Sequence, residues 1–161
     1  MTCLFELSIA LLITLLNGFF VMAEYSLVRI RKSRLDELIR QGKSRANTVL
    51  KMSEKLDTYL SATQLGITAS SLLLGWFGGP LLAEMFRGMF GVSAGTWYDH
   101  SLVFACAFLI IVFLHVVFGE LVPRTIALGK VEQVAMAVAY PLVFFHYLLY
   151  PLVVLFNRIS H

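Results

Sequence analysis

The chain has 161 residues, of which 58% are hydrophobic and only 14% are charged, and its mean hydropathy is +0.79. An average globular domain is about 45–50% apolar and about 25% charged. The composition therefore excludes a disordered chain, a coiled coil and a typical soluble enzyme, and a net charge of only +3 disfavours nucleic-acid binding. The apolar excess predicts an integral membrane domain.

The positive charges are concentrated in one part of the chain. Nine of the 13 Lys and Arg residues lie between Arg29 and Lys55, and none precedes them. Because cytoplasmic loops of membrane proteins are enriched in Lys and Arg, we expect this stretch to be cytoplasmic and the N-terminus to lie outside. A cleaved signal peptide over residues 1–22 is the alternative, but that segment has neither an early basic residue nor a clear small-x-small site.

The apolar segments predict three membrane-spanning helices, each near the 20 residues that a span requires. They cover about residues 4–28, 59–78 and 101–121. Between the first two, the pattern becomes amphipathic and basic. We interpret residues 29–57 as juxtamembrane helices at the cytoplasmic surface, divided at Gly42.

The last apolar segment, about residues 134–158, allows two interpretations. Its length permits a fourth span, but Pro141 and Pro151 divide it into short pieces. Since an interior proline removes a backbone hydrogen bond and kinks or breaks a helix, broken interfacial helices on the cytoplasmic side are favoured. The predicted fold is all-α, with residues 1–161 forming a single polytopic membrane domain.

Polar side chains inside the predicted spans carry the clearest functional signal, because hydrocarbon offers no water to satisfy them. Helix packing through small and hydroxylated residues is the alternative for any one position. A polar cavity explains the whole set better. At helical spacing, the stripes comprise Thr14, Asn17 and Glu24 on the first helix, and Gln64, Thr68 and Ser71 on the second, with Thr63, Gly66 and Ser70 beside them.

The third predicted helix ends in Gly119-Glu120-Leu121-Val122-Pro123-Arg124. Pro123 lacks the amide that would bond to the Gly119 carbonyl, so this carbonyl can coordinate a cation beside the Glu120 carboxylate. The alternative is an interfacial Glu120 that pairs with Arg124. An all-oxygen ligand set suits hard cations such as Mg²⁺, Ca²⁺ or Na⁺.

No enzyme motif is present in the sequence. It contains no glycine-rich phosphate loop, no HExxH and no GxSxG. The sequence alone assembles no Ser–His or Asp–Asp pair within the spans, and His115 is expected to pack or to bond to a carbonyl. We therefore expect the protein not to be an enzyme.

Three motifs together resemble the transmembrane domain of the CorC/CNNM magnesium transporters, over about residues 4–158. They are Asn17-Gly18-Phe19-Phe20-Val21-Met22-Ala23-Glu24, Thr63-Gln64-Leu65-Gly66-Ile67-Thr68 and Gly119-Glu120-Leu121-Val122-Pro123-Arg124. Where the family pattern has Pro-Lys, this chain has Pro123-Arg124.

The resemblance implies Mg²⁺ export in exchange for Na⁺, carried out by a homodimer in the inner membrane. It implies three spans, a belt of juxtamembrane helices and a cytoplasmic C-terminus. Family members continue into a cytosolic pair of CBS nucleotide-binding modules, which are absent up to His161. We therefore expect an isolated membrane domain.

On this interpretation, Glu120 is the anionic Mg²⁺ ligand, with the Gly119 carbonyl beside it. The other expected ligands are Ser70 and Ser71 with Ser26 or Asn17. Thr63, Gln64, Thr68, Pro123 and Arg124 are candidates for ion coupling or gating, and Glu24 for a structural salt bridge with Arg29, Arg31 or Arg124.

Two other functions remain open. One is a membrane anchor or scaffold whose basic 29–55 segment binds anionic lipid or a partner. The other is a channel that shares the fold and the site.

Overall fold

The computed structural model describes residues 2–90 and 97–160, with side chains at 5–78, 105–106, 108–152 and 154. Over these residues the chain is helical. In order, the helices are α1 (Thr2–Arg29), α2 (Lys32–Arg40), α3 (Ser44–Glu54), α4 (Leu56–Phe90), α5 (Trp97–Leu114), a π-helical segment (His115–Leu121), α6 (Val122–Gly129) and α7 (Val131–Ser160). The predicted all-α polytopic membrane fold is confirmed.

Three helical stretches among the described residues are long and apolar enough to cross a membrane. They are Phe5–Arg29, Phe108–Gly129 and Val131–Leu152. The first and second correspond to the first and third predicted spans. The predicted second span lies within α4, which has 35 residues, but hydroxyl and amide groups interrupt its apolar character between Ser61 and Ser71.

Helix α1 lies at the centre of the molecule and packs against α4, α6, α7 and the π segment. Its second half buries Phe20, Ala23 and Leu27 in the core. Its first half exposes Leu11 and Leu12, and large apolar side chains on α4 and α5 are exposed as well. Exposed apolar helix surface of this extent is stable against lipid rather than water.

Two expected breaks do not occur. Helix α4 continues through Gly78–Pro80 to Phe90, and α7 contains both Pro141 and Pro151 without interruption. In α7 both prolines lie on the exposed side, where no neighbouring element is displaced by the ring. The missing N–H removes one hydrogen bond at each position and leaves the rest of the helix intact.

The juxtamembrane helices attach to the bundle through an amphipathic face. Leu35 and Leu38 of α2 are buried, as are Ala46, Val49 and Met52 of α3. Gly42 joins the two helices with a φ of +80°, a conformation that glycine adopts without a Cβ clash. The predicted division at Gly42 is present.

An ion pair connects α2 to the start of α7. Arg34 Nε donates to Glu132 Oε1 at 2.6 Å, and its guanidinium also contacts Glu37. These two carboxylates raise the pKa of Arg34 above its ordinary value. The side chains are partly exposed, so the pair contributes little to the stability of the fold and mainly orients α2 relative to the start of α7.

The register between α1 and α4 is set by a close contact. A Cβ placed on Gly66 would lie 2.6 Å from the Phe20 ring, so only glycine allows this approach. Around this contact the two helices run antiparallel, since Glu24 neighbours Thr63 while Leu11 and Leu74 line one cavity. The polar residues of both helices are therefore brought to one level.

Candidate cation site

The site is built around the π-helical segment His115–Leu121. In it the Val122 N–H donates to the Val117 carbonyl, five residues back. Pro123 follows and has no N–H, so the Gly119 carbonyl receives no i+4 hydrogen bond. A π turn inserted in an α-helix widens it and frees backbone groups, and such turns occur frequently at functional sites. The third helix therefore continues through a widened turn where a break was expected.

The freed Gly119 carbonyl faces α1. Asn17 Nδ2 donates to it at 2.8 Å, which joins residues 102 positions apart in the chain. The Asn17 side chain is only 1% exposed. Hydrogen bonds of this kind between buried groups are strongly favoured, because either partner alone would be left unsatisfied away from water.

Two glycines allow the backbone to approach so closely. A Cβ on Gly18 would lie 2.9 Å from Pro123 Cγ. A Cβ on Gly119 would lie 3.0 Å from His115 Nδ1 and 3.2 Å from Asn17 Nδ2. The side chains of Asn17 and His115 therefore converge on the open face of Gly119.

Two atoms at this point have no hydrogen-bond partner among the described residues. They are Asn17 Oδ1 and His115 Nδ1, and both are buried. Buried polar atoms in folded proteins are almost always paired with protein, water or an ion. These two acceptors therefore indicate a place where a cation or an ordered water belongs.

A Ser–His pair also lies here, although the sequence alone assembled none. Ser71 Oγ and His115 Nε2 are 3.0 Å apart, and Ser71 Oγ also donates to the Ile67 carbonyl at 2.9 Å. With the hydroxyl proton directed to Ile67, Ser71 accepts a hydrogen bond from the His115 Nε2–H. Among the described side chains no acid orients His115 Nδ1, unlike in a catalytic triad, so we interpret the pair as a link between α4 and the π segment.

A second layer of polar groups lies two helical turns along α1, about 10 Å away. Here the Glu24 carboxylate lies beside the Thr63 side chain and within electrostatic range of Glu120, while the Thr63 hydroxyl itself donates to the Leu60 carbonyl at 2.8 Å. Glu120 itself is exposed. Two carboxylates in electrostatic range repel unless a cation or water separates them.

The remaining predicted ligands are mostly bonded to their own helices. Ser70 Oγ donates to the Gly66 carbonyl at 2.7 Å, and Ser26 Oγ donates to the Ala23 carbonyl at 3.2 Å. Both are buried. Because α1 is unbroken, Ser26 and Asn17 are separated by roughly 13 Å along it. One cation cannot contact both side chains, so the structure brings Asn17, and not Ser26, to the Gly119 carbonyl.

The residues considered for gating divide into two groups. Thr63 and Pro123 are buried at the helix contacts, whereas Gln64 and Thr68 point away from them and are exposed. Arg124 stacks on the Tyr25 ring at 4.6 Å. Glu24 has no basic partner among the described side chains, where the ion pairs are those of Arg34.

An apolar cavity of about 260 Å³ lies on the other side of Asn17, toward the start of α1. Its lining includes Leu7, Leu11, Leu74 and Ile111, with His115 at the edge nearest the site. The polar side chains in its lining are His115 and Thr14, and the Thr14 hydroxyl already donates to the Ala10 carbonyl at 2.8 Å. Most of the polar groups therefore lie in the half of the bundle that is closer to the end of α1.

Sequence reasoning missed the position of His115. The available signal is that His115 and Gly119 are four residues apart and share a helix face. It also could not choose between the two polar stripes of α4. No group of three or more His, Cys, Asp and Glu side chains forms in the described part of the chain, so a cation here depends on neutral oxygens for most of its ligands.

Apolar helices of membrane-spanning length, enclosing buried polar groups and a freed carbonyl, define a multi-pass membrane domain with a polar core. Comparison with known proteins identifies it further. The CNNM family, described as "Cyclin M transmembrane N-terminal domain", matches residues 7–161. The chain belongs to this family, which is associated with metal-ion transport.

Bacterial relatives agree with this assignment. UPF0053 protein YugS of Bacillus subtilis (strain 168) is 41% identical over 143 residues, which is 88% of this chain and 33% of YugS. YhdP of the same organism is 42% identical over 151 residues, which is 93% of this chain and 34% of YhdP. The chain spans about a third of the length of these curated relatives.

Proposed function

We propose that this domain transports Mg²⁺ across the inner membrane, with a cation site between α1, α4 and the π segment. The observation that carries the proposal is the pair formed by the freed Gly119 carbonyl and the Asn17 side chain, whose Oδ1 has no partner. Glu120 follows Gly119 directly and supplies the negative charge. The Ser70 and Ser71 hydroxyls lie on the facing helix at the same level.

The geometry of this pair suits octahedral coordination. Asn17 Nδ2 lies 2.8 Å from the Gly119 oxygen. Rotation of the Asn17 amide by 180° would bring Oδ1 to the same separation. Adjacent ligands around Mg²⁺ with bonds of 2.0–2.1 Å lie about 2.9 Å apart. The amide therefore closes the site with a hydrogen bond when no ion is bound, and opens it by turning its oxygen toward the ion.

The distribution of polar groups supports export from the cytoplasm. The positive-inside rule places the basic 29–55 segment in the cytoplasm and therefore the N-terminus outside. The second polar layer, with Glu24, Thr63 and Glu120, then faces the cytoplasm, and the apolar cavity faces outward. In this state ions enter from the inside, and apolar packing closes the outside.

A second cation is required for exchange, and Na⁺ fits the second layer. The Glu24 and Glu120 carboxylates and the Thr63 hydroxyl offer oxygens with net negative charge. Na⁺ bound there would reduce the repulsion between the two carboxylates. Because Glu120 borders both layers, occupation of one site would change the affinity of the other.

A homodimer is part of the proposal. Gln64 and Thr68 of α4 are exposed although they lie in a membrane helix. A primary amide facing lipid is unfavourable, and hydrogen bonding to another helix removes that penalty. An identical α4 from a second copy supplies matching groups around a two-fold axis.

The Glu120→Gln variant tests the cation site. It keeps the size of the side chain and removes its charge, and we expect Mg²⁺ binding at least about a hundredfold weaker, or 2.7 kcal/mol. Binding is measured by calorimetry on the purified full chain. Glu6→Gln, which removes a carboxylate near the start of α1, is the matched control and should bind Mg²⁺ as the unchanged protein does.

Flux separates the kinds of transport. The full chain is reconstituted into liposomes that contain a Mg²⁺-sensitive dye, and an Na⁺ gradient is imposed or replaced by N-methylglucamine. An exchanger moves Mg²⁺ against its gradient only with Na⁺, whereas a channel dissipates a Mg²⁺ gradient in either medium. Unchanged Mg²⁺ binding in Glu120→Gln would refute the site, and absence of flux in both media would refute transport by this chain.

A further inference from the structure

A basic groove lies away from the cation site, where α2 turns into α3 beside the start of α7. It has a volume of about 460 Å³ and is lined by Gly42, Lys43, Ser44, Arg45, Gln133, Met136 and Ala137. We propose that this groove binds the headgroup of an anionic phospholipid, whose acyl chains lie along the exposed face of α7. The site is independent of the proposed cation transport.

The charge of the groove is available for a ligand. Lys43 and Arg45 are both exposed, and the ion pairs among the described residues leave them unpaired. The neighbouring carboxylate, Glu132, is already bound by Arg34 Nε at 2.6 Å and by its second guanidinium nitrogen at 3.2 Å. Lys43 lies within electrostatic range of Glu132 but, like Arg45, forms no ion pair among the described residues. The two cations give the groove a positive potential that attracts a phosphate.

Arg45 is held in a defined position. Its guanidinium carbon lies 5.6 Å from the centre of the Tyr140 ring. Such cation–π contacts orient an arginine side chain and leave its N–H groups free to bind a phosphate. Tyrosine is also enriched where membrane proteins meet the lipid headgroups.

The exposed face of α7 points to a lipid rather than to a soluble phosphate. Gln133, Ala137, Tyr140, Phe144 and Leu148 follow one helix face, and all are exposed. The polar end of this face lines the groove. Beyond it, Tyr140, Phe144 and Leu148 are 52%, 65% and 61% exposed and extend for roughly 12 Å. A surface that changes from cationic to apolar in this direction matches the two parts of a phospholipid.

The other basic residues do not share this arrangement. Arg31 and Lys51, for example, are exposed but do not line the groove. They contribute to the general attraction between a basic segment and an extended anionic membrane surface, which is absent when single lipids are titrated in detergent. A specific site predicts that Lys43 and Arg45 matter more than an equal number of such charges.

The test compares two double variants of the full chain, Lys43→Gln with Arg45→Gln and Arg31→Gln with Lys51→Gln. Each is purified in detergent, stripped of lipid and titrated with phosphatidylglycerol or phosphatidylcholine, and bound lipid is counted by native mass spectrometry. We expect the groove variant to bind phosphatidylglycerol roughly tenfold to thirtyfold more weakly. The control variant should change by less than threefold, and phosphatidylcholine should bind weakly to all.

Three outcomes would overturn the proposal. Equal weakening in both variants would mean that attraction is spread over the basic segment. Displacement of the lipid by millimolar inorganic phosphate would identify a soluble anion as the ligand. Failure of the unchanged protein to prefer phosphatidylglycerol would mean that the groove is not a site for an anionic lipid. Cross-linking of α7 to a second copy would then identify this face as a protein interface. Circular dichroism of each variant checks that helical content is retained.

Discussion

The interface between α1, α4 and the third helix has two halves with opposite chemistry. We define the apolar half by Leu7, Leu11, Leu74 and Ile111, which surround a cavity of about 260 Å³. We define the polar half by Asn17, Glu24, Thr63, Gly119 and Glu120. The same helices form both halves, so helix packing alone does not create a site.

Three features of the polar half produce the difference. Glycine at 66 brings the helices close, the π turn with Pro123 frees a carbonyl, and Asn17 reaches it. In the apolar half no amide side chain reaches a freed carbonyl among the described residues. Its close glycine, Gly78, lies against the side-chain end of Ile111, and Thr14 donates to the Ala10 carbonyl of its own helix at 2.8 Å. A hydroxyl bonded in this way needs no partner from another helix.

The largest expected effect comes from separating the two helices in the polar half. In Gly66→Val the new side chain would overlap the Phe20 ring, since even a Cβ would lie 2.6 Å from it. We expect a loss of about 3 kcal/mol in unfolding free energy, measured by thermal unfolding in detergent. Gly75→Val is the control, because nothing lies within 4 Å of that position. Equal losses in both variants would show that the helix approach at residue 66 is not required.

A smaller effect is expected from removing the link between α1 and the π segment. Asn17→Leu preserves the size of the side chain but leaves the Gly119 carbonyl buried without its partner. We expect a loss of about 1–3 kcal/mol in unfolding free energy and roughly tenfold weaker Mg²⁺ binding.

Thr14→Val is the matched control for Asn17→Leu, since it removes a polar group from the apolar half. It should change stability by less than about 0.5 kcal/mol, as substitutions away from special features usually do. Mg²⁺ binding that is equally weak in both variants would contradict the distinction between the halves.

The smallest effect is expected in the apolar half. Ala10 lines the cavity, so Ala10→Leu fills part of it and should raise stability by about 0.5–1 kcal/mol. Mg²⁺ affinity should remain within twofold of the original value. If affinity fell tenfold instead, the cavity would be part of the ion path and the apolar half would not act as a seal.

Sequence reasoning reached much of this arrangement through local rules. Hydropathy identified the membrane class, and Gly42 identified the turn between the juxtamembrane helices. The missing N–H of Pro123 identified Gly119 as a freed carbonyl, because a proline four residues later leaves that oxygen without its helical donor. The same rules overestimated how strongly the two prolines of α7 disrupt a helix, since both lie inside one uninterrupted helix.

Local rules could not predict which face of each helix turns toward its neighbours. On α4, Gln64 and Thr68 form one stripe and Thr63 and Ser70 form the next, and either stripe could face the core. The structure buries Thr63 and Ser70 and exposes Gln64. Rotation of a helix about its axis depends on its neighbours, and here the contact between Gly66 and Phe20 fixes it.

By itself, the sequence determined that this protein lies in a membrane, that its fold is all-α and where a backbone carbonyl is released. Each of these follows from hydrophobicity or hydrogen bonding within about one helical turn. The tertiary structure decided that Asn17 bonds to that carbonyl, that His115 meets Ser71 and that Glu24 lies near Glu120. These partners are far apart in the chain, and their meeting depends on helix register and rotation, which only packing determines.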